Sequence, residues 1–160
     1  ISDAVSITPS PPAKNNPKLV IIGNSFGFSV YIDTRQGFVA YFKTYIDDLK
    51  DKYDKVYLVR NEHQLAIYSF DGGERFEPDY LLFLHTQKND SYEQLQAFIE
   101  PKGAHLIDKD RWKEDFLLQI ESKAIPVTKF ADDNKYKIWG FHFFNRDERS
   151  VEFDNDMIKL

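Results

Sequence analysis

Residues 77–84 read Glu-Pro-Asp-Tyr-Leu-Leu-Phe-Leu, and residues 95–103 read Leu-Gln-Ala-Phe-Ile-Glu-Pro-Lys-Gly. Each stretch contains an apolar run of strand length, Tyr80–Leu84 in the first and Leu95–Ile99 in the second. The polar residues 86–91 between them have the composition of a hairpin loop. The sequence therefore predicts two antiparallel strands joined by that loop.

Three charged residues flank these predicted strands. Asp79 begins the first run, and Glu100 and Lys102 follow the second. In an antiparallel pair the start of one strand lies beside the end of the other. Side chains alternate between the two faces of a strand, so Glu100 and Lys102 point the same way. We therefore expect the three residues to converge at one edge of the sheet.

Two carboxylates and one lysine at a single point suggest metal chemistry. The carboxylates repel each other unless water or a cation satisfies them. Mg²⁺ prefers carboxylate oxygens, backbone carbonyls and water, and a bound metal can activate a water beside a phosphate. Lys102 could orient that water or stabilise developing negative charge. Alternatively, these are ordinary charged residues at the ends of strands.

The same residues carry a resemblance to a known family. Pro78-Asp79 followed by Glu100-Pro101-Lys102 is similar to the signature of the PD-(D/E)XK nuclease superfamily. Together with Arg60-Asn61-Glu62 and Trp112–Leu117, the pattern resembles the C-terminal endonuclease domain of the restriction subunit of type III restriction–modification enzymes. The resemblance extends over residues 18–145.

This resemblance implies a fold, an activity and a set of roles. The fold would be α/β and restriction-endonuclease-like, with a mixed sheet flanked by helices. The activity would be that of a Mg²⁺-dependent endodeoxyribonuclease, with Mn²⁺ as a possible substitute. Asp79 and Glu100 would bind the metal together with the backbone carbonyl of Pro101. The catalytic residues would be Asp79, Glu100 and Lys102, and Lys102 would position or help deprotonate the attacking water.

Three further residues are open candidates for the same site. Glu62 is either an additional acid near the metal or the partner of Arg60 in a surface ion pair. Glu77 shares a strand face with Asp79 if the alternation holds through the intervening proline. His105 follows Lys102 closely and is either a phosphate contact or an exposed side chain.

The resemblance also implies partners. These are DNA, a helicase/ATPase motor domain in the parent chain, and a modification methyltransferase subunit. The absence of cysteine fits a reducing cytoplasm, which is the expected location. This chain contains no motor motif, so it is expected neither to hydrolyse ATP nor to select a DNA sequence by itself. One alternative is a catalytically inactive module of the same fold that docks to a motor or partner. Another is a nuclease that acts on RNA or single strands.

Composition limits these interpretations. The chain has 160 residues, of which 42% are hydrophobic and 16% aromatic, as expected for one folded domain. It contains no cysteine, which excludes disulfides and cysteine-based zinc sites. The net charge of −5 predicts weak DNA binding by this piece alone. No apolar run approaches the roughly 18 residues of a membrane span.

The remaining segments complete the predicted organisation. Residues 1–17 contain four prolines and predict a linker or a disordered N-terminal segment before a nuclease domain at residues 18–160. The first residue, Ile1, suggests a fragment or a processed product. The tail, Asn145–Leu160, is charge-rich, and the sequence leaves open whether it docks on a neighbour. Apolar periodicity predicts helices at Gly37–Lys50 and after Asp108–Asp110, and strands at Leu19–Ile22, Lys55–Val59, Gln64–Phe70, Ala124–Phe130 and Lys135–Phe144.

Overall fold

Helices and strands form a mixed α/β arrangement. The structure is a computed structural model that describes residues 18–22, 34–123 and 135–160. The predicted linker at 1–17 and the predicted strand at 124–130 lie outside these ranges. The elements are β1 (Lys18–Ile22), α1 (Thr34–Phe42), a 3₁₀ turn (Lys43–Tyr45), α2 (Ile46–Lys52), β2 (Lys55–Arg60), β3 (Ile67–Tyr68), β4 (Arg75–Phe76), β5 (Tyr80–Gln87), β6 (Tyr92–Ile99), α3 (Ala104–Ile107), α4 (Arg111–Lys123), β7 (Lys135–Gly140) and α5 (Ser150–Ile158).

The main sheet has five strands in the order β1-β2-β5-β6-β7. The outer pairs β1–β2 and β6–β7 are parallel, whereas β2–β5 and β5–β6 are antiparallel. The predicted class, a mixed sheet flanked by helices, is confirmed. Strand β5 lies in the middle of the sheet, and its partner β6 lies next to it.

The predicted hairpin is confirmed with a shorter loop. Strands β5 and β6 pair from Tyr80↔Ile99 to Gln87↔Tyr92. The backbone amide of Lys88 donates to the carbonyl of Ser91 at 2.8 Å, which closes the turn. The loop is shorter than the predicted residues 86–91 because Thr86 and Gln87 extend the ladder.

One face of the sheet is covered by α1, α2 and α5. The predicted helix at Gly37–Lys50 exists, but it begins at Thr34, passes through the 3₁₀ turn and ends at Lys52. Its apolar stripe faces every second residue of the central strands, as strand alternation requires. The buried core on this face consists of Phe38, Phe42, Ile46, Leu49, Val56, Leu58, Tyr80, Leu82, Leu84, Leu95, Ala97, Ile99, Phe141, Phe144, Phe153, Met157 and Leu160.

The opposite face packs against α3, α4 and the β3–β4 pair, through Phe76, Leu81, Phe98, Ile107, Phe116, Leu117, Ile120 and Phe143. Helix α4 approaches β7 closely at Gly140, where a Cβ atom would lie 2.1 Å from the carbonyl oxygen of Leu117. No side chain other than hydrogen fits at this position.

The predicted strand at Gln64–Phe70 is wrong in extent, because only Ile67–Tyr68 is a strand. The cause is Asn61, whose side-chain oxygen accepts hydrogen bonds from the amides of Gln64 at 3.1 Å and Leu65 at 2.9 Å. These bonds fold the chain into a turn instead of a strand.

The tail is part of the folded core. Helix α5 buries Phe153 and Met157, and the terminal Leu160 joins the same cluster. The charge-rich sequence of this segment does not by itself indicate where it packs. Across the ranges that the structure describes, none of the helices has the length and apolar character that crossing a membrane requires.

Candidate functional site

The three predicted residues converge where β5 begins and β6 ends. The backbone amide of Asp79 donates to Oε2 of Glu100 at 2.9 Å. The ammonium of Lys102 donates to Oε1 of the same carboxylate at 2.8 Å. The expected convergence is therefore present. The three residues lie at the ends of the inner strands β5 and β6, and not along an outer strand of the sheet.

Two prolines explain why the β5–β6 ladder stops here. The register Tyr80↔Ile99, continued by two steps, would place Pro78 opposite Pro101. Neither proline has a backbone N–H to donate, so the ladder cannot continue. Pro101 instead forms a parallel bridge with Phe144. The paired register of β5 and β6 therefore ends at Tyr80↔Ile99, next to Asp79 and Glu100.

The bridge to Phe144 engages the backbone groups of Glu100 and Lys102, which flank Pro101. The backbone carbonyl of Glu100 accepts a hydrogen bond from the amide of Phe144 at 3.0 Å. The amide of Lys102 donates to the carbonyl of Phe144 at 2.9 Å. Backbone groups of neighbouring residues in a strand point to opposite sides, so the Pro101 carbonyl is directed toward β5. It lies on the side of the strand where Asp79 is found.

Lys102 is buried and bound by two acids. Its side chain is 8% exposed, and its ammonium bonds Asp110 at 2.9 Å as well as Glu100. The ammonium also lies 5.3 Å from the centre of the Phe143 ring. A buried ammonium requires such partners, because desolvation of an isolated charge is costly.

The charges shift the pKa values of these groups in defined directions. Burial raises the pKa of Glu100, and the negative charge of Asp79 raises it further, against the opposing effect of Lys102. Burial acts to lower the pKa of Lys102, but the carboxylates of Glu100 and Asp110 outweigh it and raise the value. Burial acts to raise the pKa of Asp110, but its hydrogen bonds with Lys102 and Lys113 outweigh burial and lower the value. Lys102 is therefore a protonated donor in this arrangement.

Three residues that sequence reasoning did not place at the site support it. Asp110, which precedes the predicted second helix, binds Lys102. Asn145 donates its side-chain amide to the carbonyl of Lys102 at 2.8 Å. Glu114 is 5% exposed and accepts the amide of Phe143 at 2.9 Å. The sequence carried one signal for Glu114, an acid three residues before Leu117 on the apolar side of a predicted helix.

The other candidates have different partners. Glu77 binds Arg75 and His63. Glu62 and His105 are exposed, and no ion pair joins Arg60 to Glu62 within the described ranges. None of the contacts that the structure gives for Glu62, Glu77 or His105 reaches Glu100 or Lys102. These three residues are not brought into the cluster.

The cluster offers oxygen ligands suited to a hard divalent cation. Across the part of the chain that the structure describes, no three His, Asp or Glu side chains form a metal-binding group by themselves. Mg²⁺, however, is commonly held by one or two carboxylates and completes its shell with water and carbonyl oxygens. Asp79, Glu100 and the Pro101 carbonyl supply that chemistry. The ammonium already bound to Glu100 shows that this position accommodates a positive charge.

Fold and site together define a mixed α/β domain with a buried carboxylate–lysine cluster at the ends of its central strands. The chain belongs to the HI_1054_C family, described as a C-terminal domain, whose model matches residues 17–159. It is 34% identical over 122 residues to a protein of Haemophilus influenzae described as an uncharacterized protein. The alignment covers 72% of this chain and 26% of that relative, so the chain spans about a quarter of its length. No solved structure matches the chain.

Neither description states an activity. The similarity to the endonuclease domain of type III restriction enzymes therefore remains a prediction from sequence, and so do the metal and the partners that it implies.

Proposed function

We propose that this domain is a metal-dependent endonuclease module of restriction-endonuclease-like fold that hydrolyses DNA phosphodiester bonds, as the cleavage module of a type III restriction enzyme does. The observation that carries the proposal is the position of Glu100. This buried acid lies between the backbone of Asp79 and the ammonium of Lys102, where the pairing of β5 with β6 ends.

Asp79 and Glu100, with the carbonyl of Pro101, would hold a Mg²⁺ or Mn²⁺ ion. A divalent cation held there supplies charge neutralisation at a phosphate and lowers the pKa of a bound water. Lys102 serves as a hydrogen-bond donor that orients the attacking water or stabilises developing negative charge. It does not serve as the base, because its two carboxylate partners favour the protonated form. This narrows the role predicted from sequence, which included deprotonation.

The proposed partners come from the sequence resemblance, and the size of the relative supports only a longer chain. The chain corresponds to about a quarter of the Haemophilus influenzae protein, and its family is described as a C-terminal domain. These facts support a module that works within a longer chain. The net charge of −5 also favours help from other parts in gripping DNA. We propose a helicase/ATPase motor domain in that longer chain, a modification methyltransferase subunit as partner, and a cytoplasmic location.

A second candidate function is a catalytically inactive module of the same fold that docks to a motor or partner. One observation favours it. Both oxygens of Glu100 already accept hydrogen bonds, and the Lys102 ammonium is shared between Glu100 and Asp110. Such a closed network can be purely structural.

Calorimetry and plasmid nicking on the same samples test both candidates. Mn²⁺ binding is measured first, followed by metal-dependent nicking of supercoiled DNA, for the wild type, Asp79→Asn and a matched control, Asp90→Asn. Asp90 is exposed in the turn at the far end of the same two strands. The endonuclease proposal expects binding and nicking in the wild type and the control, with both lost in Asp79→Asn.

The remaining outcomes separate the alternatives. Mn²⁺ binding without nicking would indicate a competent site that requires the rest of a longer chain to present DNA. A folded wild type that binds no divalent cation would reject the endonuclease proposal and favour docking. Labelled RNA and single-stranded DNA in the same assay determine whether duplex DNA is the preferred substrate.

A further inference from the structure

The ammonium of Lys102 has a second acidic partner that belongs to neither strand of the site. Asp110 lies between α3 and α4, and its carboxylate accepts from Lys102 at 2.9 Å. The Lys102 side chain is 8% exposed and that of Asp110 is 16% exposed. The contact is thus largely shielded from water, where a hydrogen bond between charged groups is strongest.

Asp110 is itself fixed in place. Its backbone amide donates to the carbonyl of Leu106 at 2.9 Å, which ties it to α3. Its carboxylate also accepts from the ammonium of Lys113, in the first turn of α4, at 3.1 Å. The ring of Phe76 lies 5.8 Å from that second ammonium. Asp110 is therefore held by its own backbone and by a second lysine, and its side chain is only slightly exposed.

A flexible lysine side chain needs a second fixed partner if its first partner, Glu100, is to bind a cation instead. The lysine side chain has a four-carbon stem, and one carboxylate contact leaves the ammonium free to pivot. Glu100 is the other partner, and the proposed function requires its oxygens for a cation. Without Asp110, the ammonium would depend on the same carboxylate that the cation uses.

We infer that Asp110 is a positioning residue that holds the Lys102 ammonium in place while Glu100 binds a cation. The inference rests on the proposed endonuclease function for its consequence in catalysis. Its structural part, the restraint of Lys102, can be measured separately.

The central variant is Asp110→Asn, and Asp108→Asn is its matched control. Asp108 is an acid two residues away whose side chain is 90% exposed and pairs with Arg111. Both variants remove one negative charge from the same segment, so a general effect of charge on the cation appears in both. Asp110→Glu keeps the carboxylate and tests recovery.

Two readouts are measured on each folded variant. Reaction of Lys102 with an amine-specific ester, followed by mass spectrometry, reports how firmly the ammonium is held. Plasmid nicking with Mn²⁺ gives kcat and KM. In Asp110→Asn we expect Lys102 to react at least several-fold faster and kcat to fall roughly 10–100-fold, with KM changed less than about twofold. Asp108→Asn should match the wild type, and Asp110→Glu should recover part of kcat.

The outcomes distinguish this inference from the proposed function. If Lys102 in Asp110→Asn reacts as slowly as in Asp108→Asn, the inference is overturned, whatever the nicking result. If Lys102 becomes reactive but the wild type nicks no DNA, the restraint is supported and the endonuclease proposal fails. Should Asp110→Asn not fold, Asp110→Ser replaces it, because serine is favourable before a helix and too short to reach the ammonium; an unchanged reactivity of Lys102 in that variant also overturns the inference.

Discussion

The backbone amide of Asp79 donates a hydrogen bond to the carboxylate of Glu100, with 2.9 Å between the nitrogen and Oε2. The main chain of one strand thus fixes the acid that follows the other strand. The position of Glu100 depends on strand pairing and not on the free choice of a side-chain rotamer. A site held in this way is preorganised, because strands move less than loops.

Replacing Lys102 with methionine should destabilise the fold. Met keeps the apolar stem beside Phe143 but leaves Glu100 buried without its cation. We expect a loss of about 3 kcal/mol in the free energy of unfolding at pH 8, because removing one partner of a buried pair is costly. Urea denaturation measures the loss. Lys123→Met removes an exposed pair with Asp71 and should cost less than about 0.5 kcal/mol. Equal losses in the two variants would contradict this account of Lys102.

Affinity for Mn²⁺ should fall as the pH falls. Burial, with the nearby charge of Asp79, raises the pKa of Glu100 above the ordinary 4.5. A cation binds the deprotonated carboxylate, so protons compete at a higher pH than they would at an exposed glutamate. Below that raised pKa, affinity should drop about tenfold per pH unit. Calorimetry from pH 8 to pH 4.5 measures it, and constant affinity over that range would refute the prediction.

The same shift determines the contribution of Glu100 to stability. Its pKa in the folded protein lies above that in the unfolded chain, so the folded state binds the extra proton. The contribution of Glu100 to the free energy of unfolding therefore decreases as the pH rises from 4.5 through the raised value. A bound cation should offset this loss at neutral pH, and the melting temperature with and without Mn²⁺ tests it.

His85 should make the fold less stable in mild acid. Its Nδ1 is buried without a hydrogen-bond partner among the described residues, and its ring stacks on Tyr92. Burial lowers the pKa of His85 below 6.5, and the charge of Lys55 adds to the effect. The stability due to neutral His85 is present above pH 6.5 and is lost as the pH falls toward the lowered value.

The substitution His85→Phe tests this pH dependence. Phenylalanine keeps the stacked ring and removes the titrating group. The melting temperature of the variant should exceed that of the wild type by a margin that grows from pH 7.5 to pH 5. A constant margin for His85→Phe would show that His85 does not titrate as described.

Phe153→Ala should show that the tail is part of the core. Phe153 is fully buried and contacts the rings of Phe38, Phe141 and Phe144 edge to face. Its loss should cost about 3–5 kcal/mol by urea denaturation. Ile158→Ala, on the same helix at 70% exposure, should change stability by less than about 0.5 kcal/mol. Equal small effects would mean that α5 contributes little.

The central hairpin and its three charged residues were predictable because the rules involved are local. Strand alternation and antiparallel pairing follow from apolar runs and a polar loop. The prolines that end the ladder were also visible in the sequence. The structure places Asp79, Glu100 and Lys102 together as those rules required. Their chemical roles are a separate matter, which the proposed experiments address.

Asp110 and the tail helix were not predictable in the same way. The contact between Asp110 and Lys102 depends on how α4 packs on the sheet, which no local spacing encodes. In the tail, Phe153, Met157 and Leu160 have helical spacing, but Val151 and Ile158 are apolar and exposed. These two exposed apolar residues hide the pattern of apolar positions that would have indicated a buried helix face.

The close packing of α4 on Gly140 links the sheet to the surroundings of Lys102. Any larger residue there would force the Leu117 turn of α4 back by about 1 Å, because a Cβ atom cannot remain 2.1 Å from a carbonyl oxygen. The first turn of the same helix carries Lys113 and Glu114, which hold Asp110 and the backbone of Phe143. Replacing Gly140 with alanine would therefore affect the site from a distance. The added methyl group would touch no charged group, but the displaced helix would weaken the contacts that hold Lys102.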